Sequence, residues 1–164
     1  MKYDCLKLEN QLCFPIYLCS KEITRHYTPY LKELDLTYTQ YIVMMYLWEN
    51  KKTNLQDLGK TLMLESNTLT PLLKKLELKK YIKRERSSKD ERNLEISLTS
   101  NGEKLKEKAL DIPKKMGKCI NLNEEEAITL YKLLYKVLKN VEEDYYGNSW
   151  INKRKFWKWS IKKW

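Results

Sequence analysis

Apolar residues recur with a helical period along most of the chain. From residue 6 to about residue 31, Leu8, Leu12, Ile16, Cys19 and Ile23 form one stripe. Pro15 falls within it and is expected to bend or weaken that helix, because it removes a backbone donor. Thr37-x-x-Gln40 has the form of a capping box and opens a helix through Tyr41 to Asn50. Thr53-x-x-Gln56 opens a shorter helix over Leu55 to Leu64. After a turn around Glu65 and Ser66, a third helix runs from Asn67 to Lys80, with Pro71 about one turn into it. The period then changes. Leu94-Glu-Ile-Ser-Leu98 alternates strictly and Tyr81 to Arg86 alternates in part. The polar run from Ser87 to Asn93 between them reads as the loop of a β-hairpin. Ser100-x-x-Glu103 caps a further helix, weakened by Pro113 and Gly117. Asn123 opens the last one, where Ile128, Leu130, Leu133, Leu134, Val137, Leu138 and Val141 make a broad apolar face.

Composition narrows the class. A chain of 164 residues builds one packed domain. Four glycines and four prolines are too few for a many-turned all-β fold. No apolar run reaches the roughly 18 residues of a membrane-spanning helix. The N-terminal segment lacks the apolar core of a secretory signal, so a cytoplasmic location is expected. Lys and Arg number 32 against 22 acids, a net charge of +10, which points to an anionic partner. His26 is the sole histidine, which argues against metal-assisted hydrolysis and Ser-His-Asp chemistry. Cysteines stand at 5, 13, 19 and 119 without a CxxC pair, so neither a disulfide framework nor a zinc site is expected.

From residue 143 onward the composition shifts again. Residues 143–164 carry six Lys or Arg against two acids and four of the five tryptophans, and the body stays basic without them. Trp150, Trp157, Ile161 and Trp164 could share a helical face suited to a membrane surface. The segment equally fits nonspecific nucleic-acid contact, or an extension that packs on the body or frays.

The order of elements carries more information than any one of them. A short helix, a turn, a second helix and then a hairpin with a basic tip make a winged helix-turn-helix. The second helix begins with Ser66, Asn67, Thr68 and Thr70, followed by Lys74 and Lys75. Small hydroxyl and amide side chains at a helix N-terminus can approach base edges and phosphates in a major groove. Arg84, Arg86, Lys89, Asp90 and Arg92 mark the wing, with Arg92 near its tip and able to enter a narrow minor groove. Taken singly, these residues read as caps and a solvated face. In this order they point to double-stranded DNA.

Four stretches carry a family resemblance: LENQLCF (8–14), LTYTQYIVMMYLWE (36–49), SNTLTPLLKKLE (66–77) and RERSSKDERNLEISLT (84–99). Over roughly residues 6–142 the chain resembles the MarR family of winged-helix regulators, and within it the redox-sensing organic hydroperoxide resistance repressor branch. The resemblance implies a mainly α fold with a small β-hairpin wing, within an α-helical homodimer. It implies a domain over 1–142 with a DNA-binding lobe at about 37–99; no enzyme activity or cofactor is expected, because no residues supply a reductant-docking or oxyanion site. It implies release of a palindromic operator on oxidation by an organic hydroperoxide. The chain departs from the family pattern at Pro15 and at Asn67, where a glycine is usual.

A lone helix cysteine is most often a small apolar residue, and Cys5 and Cys19 are read that way. Cys13 lies in the matching motif, which the resemblance makes the oxidisable thiol. Tyr17, at i+4, shares its helical face. Tyr27 is about 21 Å of helix rise away, too far for contact within one chain. The resemblance places Tyr27 and Tyr38 beside Cys13 of the opposite subunit, as hydrogen-bond donors. It also offers Cys119 as a resolving thiol in the partner subunit. The competing functions are a regulator that binds a small phenolic ligand, with Cys13 incidental, and a thiol peroxidase-like enzyme.

Overall fold

The computed structural model describes residues 2–86 and 94–146, with side chains described through residue 141. Two 3-10 turns, Asp4–Leu6 and Leu8–Asn10, precede α1 (Cys13–Lys32). The stripe beginning near residue 6 is therefore not one helix. Cys13 is the first residue of α1, and Pro15 sits in its opening turn, where backbone N–H groups have no intrahelical acceptor. Pro15 thus starts the helix rather than interrupting it. Pro29 is the proline in the helix interior.

The Thr37 capping box opens α2 (Tyr38–Asn50) as expected. Thr37 Oγ1 accepts from the Gln40 backbone N–H at 3.4 Å, and the Thr37 N–H donates to Gln40 Oε1 at 3.0 Å. The next cap differs by one residue. Thr53 belongs to a short strand, β1 (Lys52–Asn54), and Asn54 caps α3 (Leu55–Leu62), its Oδ1 accepting from the Asp57 N–H at 2.8 Å. Met63 closes α3 in the left-handed region at φ 54°, and α4 (Ser66–Leu78) follows. At this turn a side chain on Gly59 would lie 2.8 Å from the Leu64 carbonyl oxygen, so only glycine lets the two helices approach this closely.

Strands β2 (Ile82–Arg86) and β3 (Leu94–Leu98) form the expected hairpin. The sheet gains β1 on its other side, giving the antiparallel order β1-β3-β2. Thr53 and Arg84 both lie opposite Ile96. Thr99, not Ser100, caps α5 (Ser100–Ala109) by accepting from the Gly102 N–H at 3.1 Å. The helix expected over 101–119 is two helices. It breaks at Leu110–Asp111, and α6 (Ile112–Ile120) begins with Pro113 in its first turn, where proline is well tolerated. Asn123 caps α7 (Glu124–Tyr146) reciprocally with Glu126.

The core joins α1 to α6 and the sheet into one body. Leu31, Val43, Met44, Leu47, Leu58, Leu69, Leu73, Leu76, Ile82, Ile96 and Met116 are all buried, each aliphatic one contributing roughly 1.5–3 kcal/mol. Within α4 the buried positions are Leu69, Leu72, Leu73 and Leu76, one helical face. Most of the apolar residues of α1 and α7 stay outside this core. Leu12, Ile16, Tyr17 and Leu18, and Leu130, Leu133, Leu134, Val137 and Val141, are exposed. No helix among the described residues is long and apolar enough to cross a membrane.

Candidate DNA-recognition surface and cysteine site

Burial of its leucine face fixes what α4 presents to solvent. Ser66, Asn67, Thr68, Pro71, Lys74 and Lys75 are exposed on the other side. The polar groups at its start are already ordered. Asn67 Nδ2 donates to Glu65 Oε2 at 3.1 Å, and Thr68 Oγ1 donates to Asn67 Oδ1 at 3.2 Å. Glu65 thereby orients the Asn67 amide, a role that an acidic turn residue does not announce in sequence. The Thr70 hydroxyl differs from the others. It is half-buried and donates to the Ser66 carbonyl oxygen at 2.7 Å, so its proton is engaged within the helix. Ser66, Asn67, Thr68, Lys74 and Lys75 thus share one accessible surface, while Thr70 stands at its margin.

The hairpin arginines divide in the same way. Arg84 reaches back to α4, where its Nε and Nη2 donate to Glu77 Oε2 at 2.9 and 2.6 Å, and its backbone N–H donates to Glu77 Oε1 at 3.1 Å. The Arg84 side chain is only 16% exposed. Its guanidinium ties the hairpin to α4. Arg86 is exposed. Lys89, Asp90 and Arg92 lie outside the described residues.

The cysteine site is built from helix ends. Cys13 is exposed at the N-terminus of α1, and Tyr17 is exposed one turn further along. Because α1 runs unbroken to Lys32, Tyr27 is about 21 Å from Cys13 along the same helix. Tyr27 instead meets α2. Its ring centroid is 5.0 Å from that of Tyr38 and 5.9 Å from that of Tyr41. Burial, with the neighbouring Tyr38 and Tyr41 hydroxyls adding to it, pushes Tyr27 up to about 12. Burial and Tyr38 push Tyr41 up to about 12 as well. These phenols stay protonated at physiological pH and remain hydrogen-bond donors. Tyr41 is a member of this cluster that the sequence does not reveal, because an aromatic residue on an apolar helix reads as ordinary core.

The remaining cysteines, Cys5, Cys19 and Cys119, are all exposed. The buried, apolar reading of Cys5 and Cys19 therefore fails within the single chain. Cys119 lies in the last turn of α6. The α6 helix packs on the far end of α1, where Lys115 Nζ sits 5.2 Å from the Tyr30 ring centre. Tyr30 is about 25 Å along α1 from Cys13. Cys13 and Cys119 of one chain are therefore well beyond the Cα separation of about 7 Å that a disulfide tolerates. Among the described residues no group of three His, Cys, Asp or Glu side chains could hold a metal ion.

Comparison with known proteins agrees with this geometry. Residues 25–109 match the family model "Transcriptional regulator SarA/Rot". The chain is 43% identical to the organic hydroperoxide resistance transcriptional regulator of Bacillus subtilis, over 87% of this chain and 97% of that protein. It is 52% identical to the HTH-type transcriptional regulator SarZ of Staphylococcus aureus, over 73% of this chain and 81% of that protein. Among solved structures it is similar to reduced AbfR bound to DNA, at 38% identity and a TM-score of 0.71, covering 86% of this chain and 99% of that one. AbfR, from Staphylococcus epidermidis, has also been solved overoxidised on DNA and in a disulfide form, with TM-scores of 0.70 and 0.59. These relatives are regulators and not enzymes. An exposed polar face on α4, a hairpin tied to it by Arg84, and matches spanning the fold lead to one assignment: the chain belongs to the SarA/Rot-type, MarR-family winged-helix transcriptional regulators.

Proposed function

We propose that this regulator acts as a homodimer and releases a palindromic operator when Cys13 is oxidised by an organic hydroperoxide. The observation that carries this reading is the position of Cys13. It is exposed at the N-terminus of α1, far from the Tyr27–Tyr38 pair of its own chain. A second copy with antiparallel α1 helices brings the two together. The exposed leucines and valines of α7, and those around the start of α1, supply the apolar surface for such a dimer. The domain then comprises residues 1–142, with the DNA-binding lobe at about 37–99 and residues 143–164 as a basic aromatic tail whose first four residues continue α7.

In the oxidation step the Cys13 sulfur attacks the distal peroxide oxygen. The O–O bond breaks, an S–O bond forms, and the thiol and hydroperoxide become a sulfenic acid and an alcohol. The sulfur loses two electrons and the peroxide gains them. Attack by the thiol of Cys119 of the partner subunit would then form a disulfide and expel water. The similar structures of AbfR in reduced, overoxidised and disulfide forms support a cysteine-centred switch. Losing hydrogen bonds from Tyr27 and Tyr38 to the sulfur, at about 1.5–3 kcal/mol each for a charged partner, is enough to shift a two-state equilibrium substantially.

The test is operator binding by wild type and Cys13→Ser, with and without an organic hydroperoxide. The proposal expects release of wild type and retention of the mutant. If both remain bound, the sensor role is wrong and a small-molecule effector is the next reading. Non-reducing electrophoresis decides the second step, since a missing dimer-sized band in oxidised wild type excludes the intersubunit disulfide.

A further inference from the structure

We propose that Tyr41 and Trp48 are positioning residues that link the Tyr27–Tyr38 pair to the strands of the wing. The connection runs through a continuous chain of packed groups. Tyr27 packs on both Tyr38 and Tyr41, and the Tyr41 ring meets Trp48 edge-on at 6.0 Å. Trp48 Nε1 donates a buried hydrogen bond to the Gly102 carbonyl oxygen at 2.8 Å. Gly102 lies so close to Tyr81 that any side chain there would strike the Tyr81 carbonyl oxygen. The same carbonyl accepts from the Thr99 N–H at 3.1 Å and from the Thr99 hydroxyl at 3.0 Å. Tyr81 leads directly into β2, and Thr99 directly follows β3.

Each link is stiff for a stated reason. Tyr41 is 2% exposed and Trp48 is 7% exposed, so neither ring can move without displacing core neighbours. The Gly102 carbonyl, in the first turn of α5, accepts a second hydrogen bond from an indole N–H in the protein interior, which fixes that ring against the helix start. The absent side chain at Gly102 lets α5 rest directly on backbone at the hairpin base. A displacement of Tyr27 is therefore passed to Tyr41, Trp48 and the first turn of α5, and on to the paired ends of β2 and β3. The inference rests on the redox reading for its trigger only. The packing link operates on any event that moves Tyr27.

The test is a double-mutant cycle on the reduced full-length protein, read by amide hydrogen exchange. Tyr27→Leu perturbs one end. Trp48→Phe keeps a ring in the core and removes the indole donor. The expected result is about three- to tenfold faster exchange in 82–86 and 94–98 on Tyr27→Leu, with no further increase when Trp48→Phe is already present. Exchange in α7 should stay unchanged, which separates coupling from general loss of stability. Equal increments in both backgrounds, or no change in the strands, overturn the proposal. A second readout avoids any folding defect in Tyr27→Leu. The indole N–H resonance of Trp48 should move in Tyr27→Phe, and an unmoved resonance counts against the link. If the cycle shows coupling while peroxide fails to release wild type from its operator, the link stands and the redox reading falls.

Discussion

Arg84 and Glu77 hold the wing to α4 through three hydrogen bonds, two from the guanidinium and one from the Arg84 backbone N–H. The Arg84 hydrogen bonds keep the Glu77 carboxyl below its ordinary 4.5. A carboxylate lowered in the folded state stabilises fully above its unfolded value, and that stabilisation fades as pH falls through the folded value. Arg84→Ala should therefore cost stability at neutral pH and progressively less below about pH 4.5. Screening at the 36% exposed Glu77 side chain holds the neutral-pH cost to about 1 kcal/mol. Urea unfolding at pH 7 and at successively lower pH below about 4.5 follows the decline, and a penalty that stays constant throughout would contradict the pairing.

The same geometry predicts how salt acts on operator binding. Arg84 is occupied by Glu77, whereas Lys74, Lys75 and Arg86 are exposed. Removing a cation that pairs with one DNA phosphate lowers the slope of log affinity against log salt by about one. Lys74→Ala and Arg86→Ala should each reduce that slope, and Arg84→Ala should leave it unchanged even if affinity drops. A reduced slope in Arg84→Ala would show that its guanidinium leaves Glu77 to meet DNA.

Alkaline titration tests the tyrosine cluster. Of twelve tyrosines, Tyr27 and Tyr41 are pushed up to about 12, chiefly by burial. A phenol whose folded value is raised contributes its full stabilisation below the unfolded value near 10, and loses it as pH rises through about 12. Phenolate absorbance should show a late-ionising pair that coincides with loss of tertiary structure. Tyr27→Phe should remove part of the stability loss between those pH values. A mutant with the wild-type alkaline profile would place Tyr27 in a more solvated setting.

Gly102 and Gly59 give a steric prediction. Alanine at 102 meets backbone at Tyr81, and alanine at 59 meets both the Leu64 carbonyl and, at 3.3 Å, Leu69 Cδ1. Overpacking against backbone should cost about 3 kcal/mol at Gly102 and about 1–2 kcal/mol at Gly59. Thermal unfolding of the two variants checks the order as well as the size.

Elements with strong local signals are readable from the chain alone. The Thr37–Gln40 box, the Asn123 cap and the alternation of Leu94 to Leu98 each announce their structure without tertiary help. The elements that escape such reading share a different cause. Lys52-Thr-Asn54 has no alternation to read, and becomes a strand because β3 offers it a pairing edge. Asn54 and Thr99 each have an equally plausible neighbour as cap, so one residue of chain geometry decides. The exposed polar face of α4 is legible from type and order, because the leucine period leaves those residues only one side to occupy. The Arg84–Glu77 pair and the packing of Tyr41 on Trp48 are not, since both depend on how separate segments come together.

The sheet order has a consequence beyond recognition. With β3 in the middle, β2 is an edge strand among the described residues, the arrangement onto which a stray strand can add, and Glu77 already takes the Arg84 N–H of that edge. Its sequence past Ile82 is Lys83-Arg84-Glu85-Arg86, charged at every position. An incoming strand would have to settle against that row of charge and disturb the Lys83–Glu85 and Arg84–Glu77 pairs. The charge along this strand, which also pins the wing to α4 through Arg84 and Glu77, therefore guards its edge against strand addition.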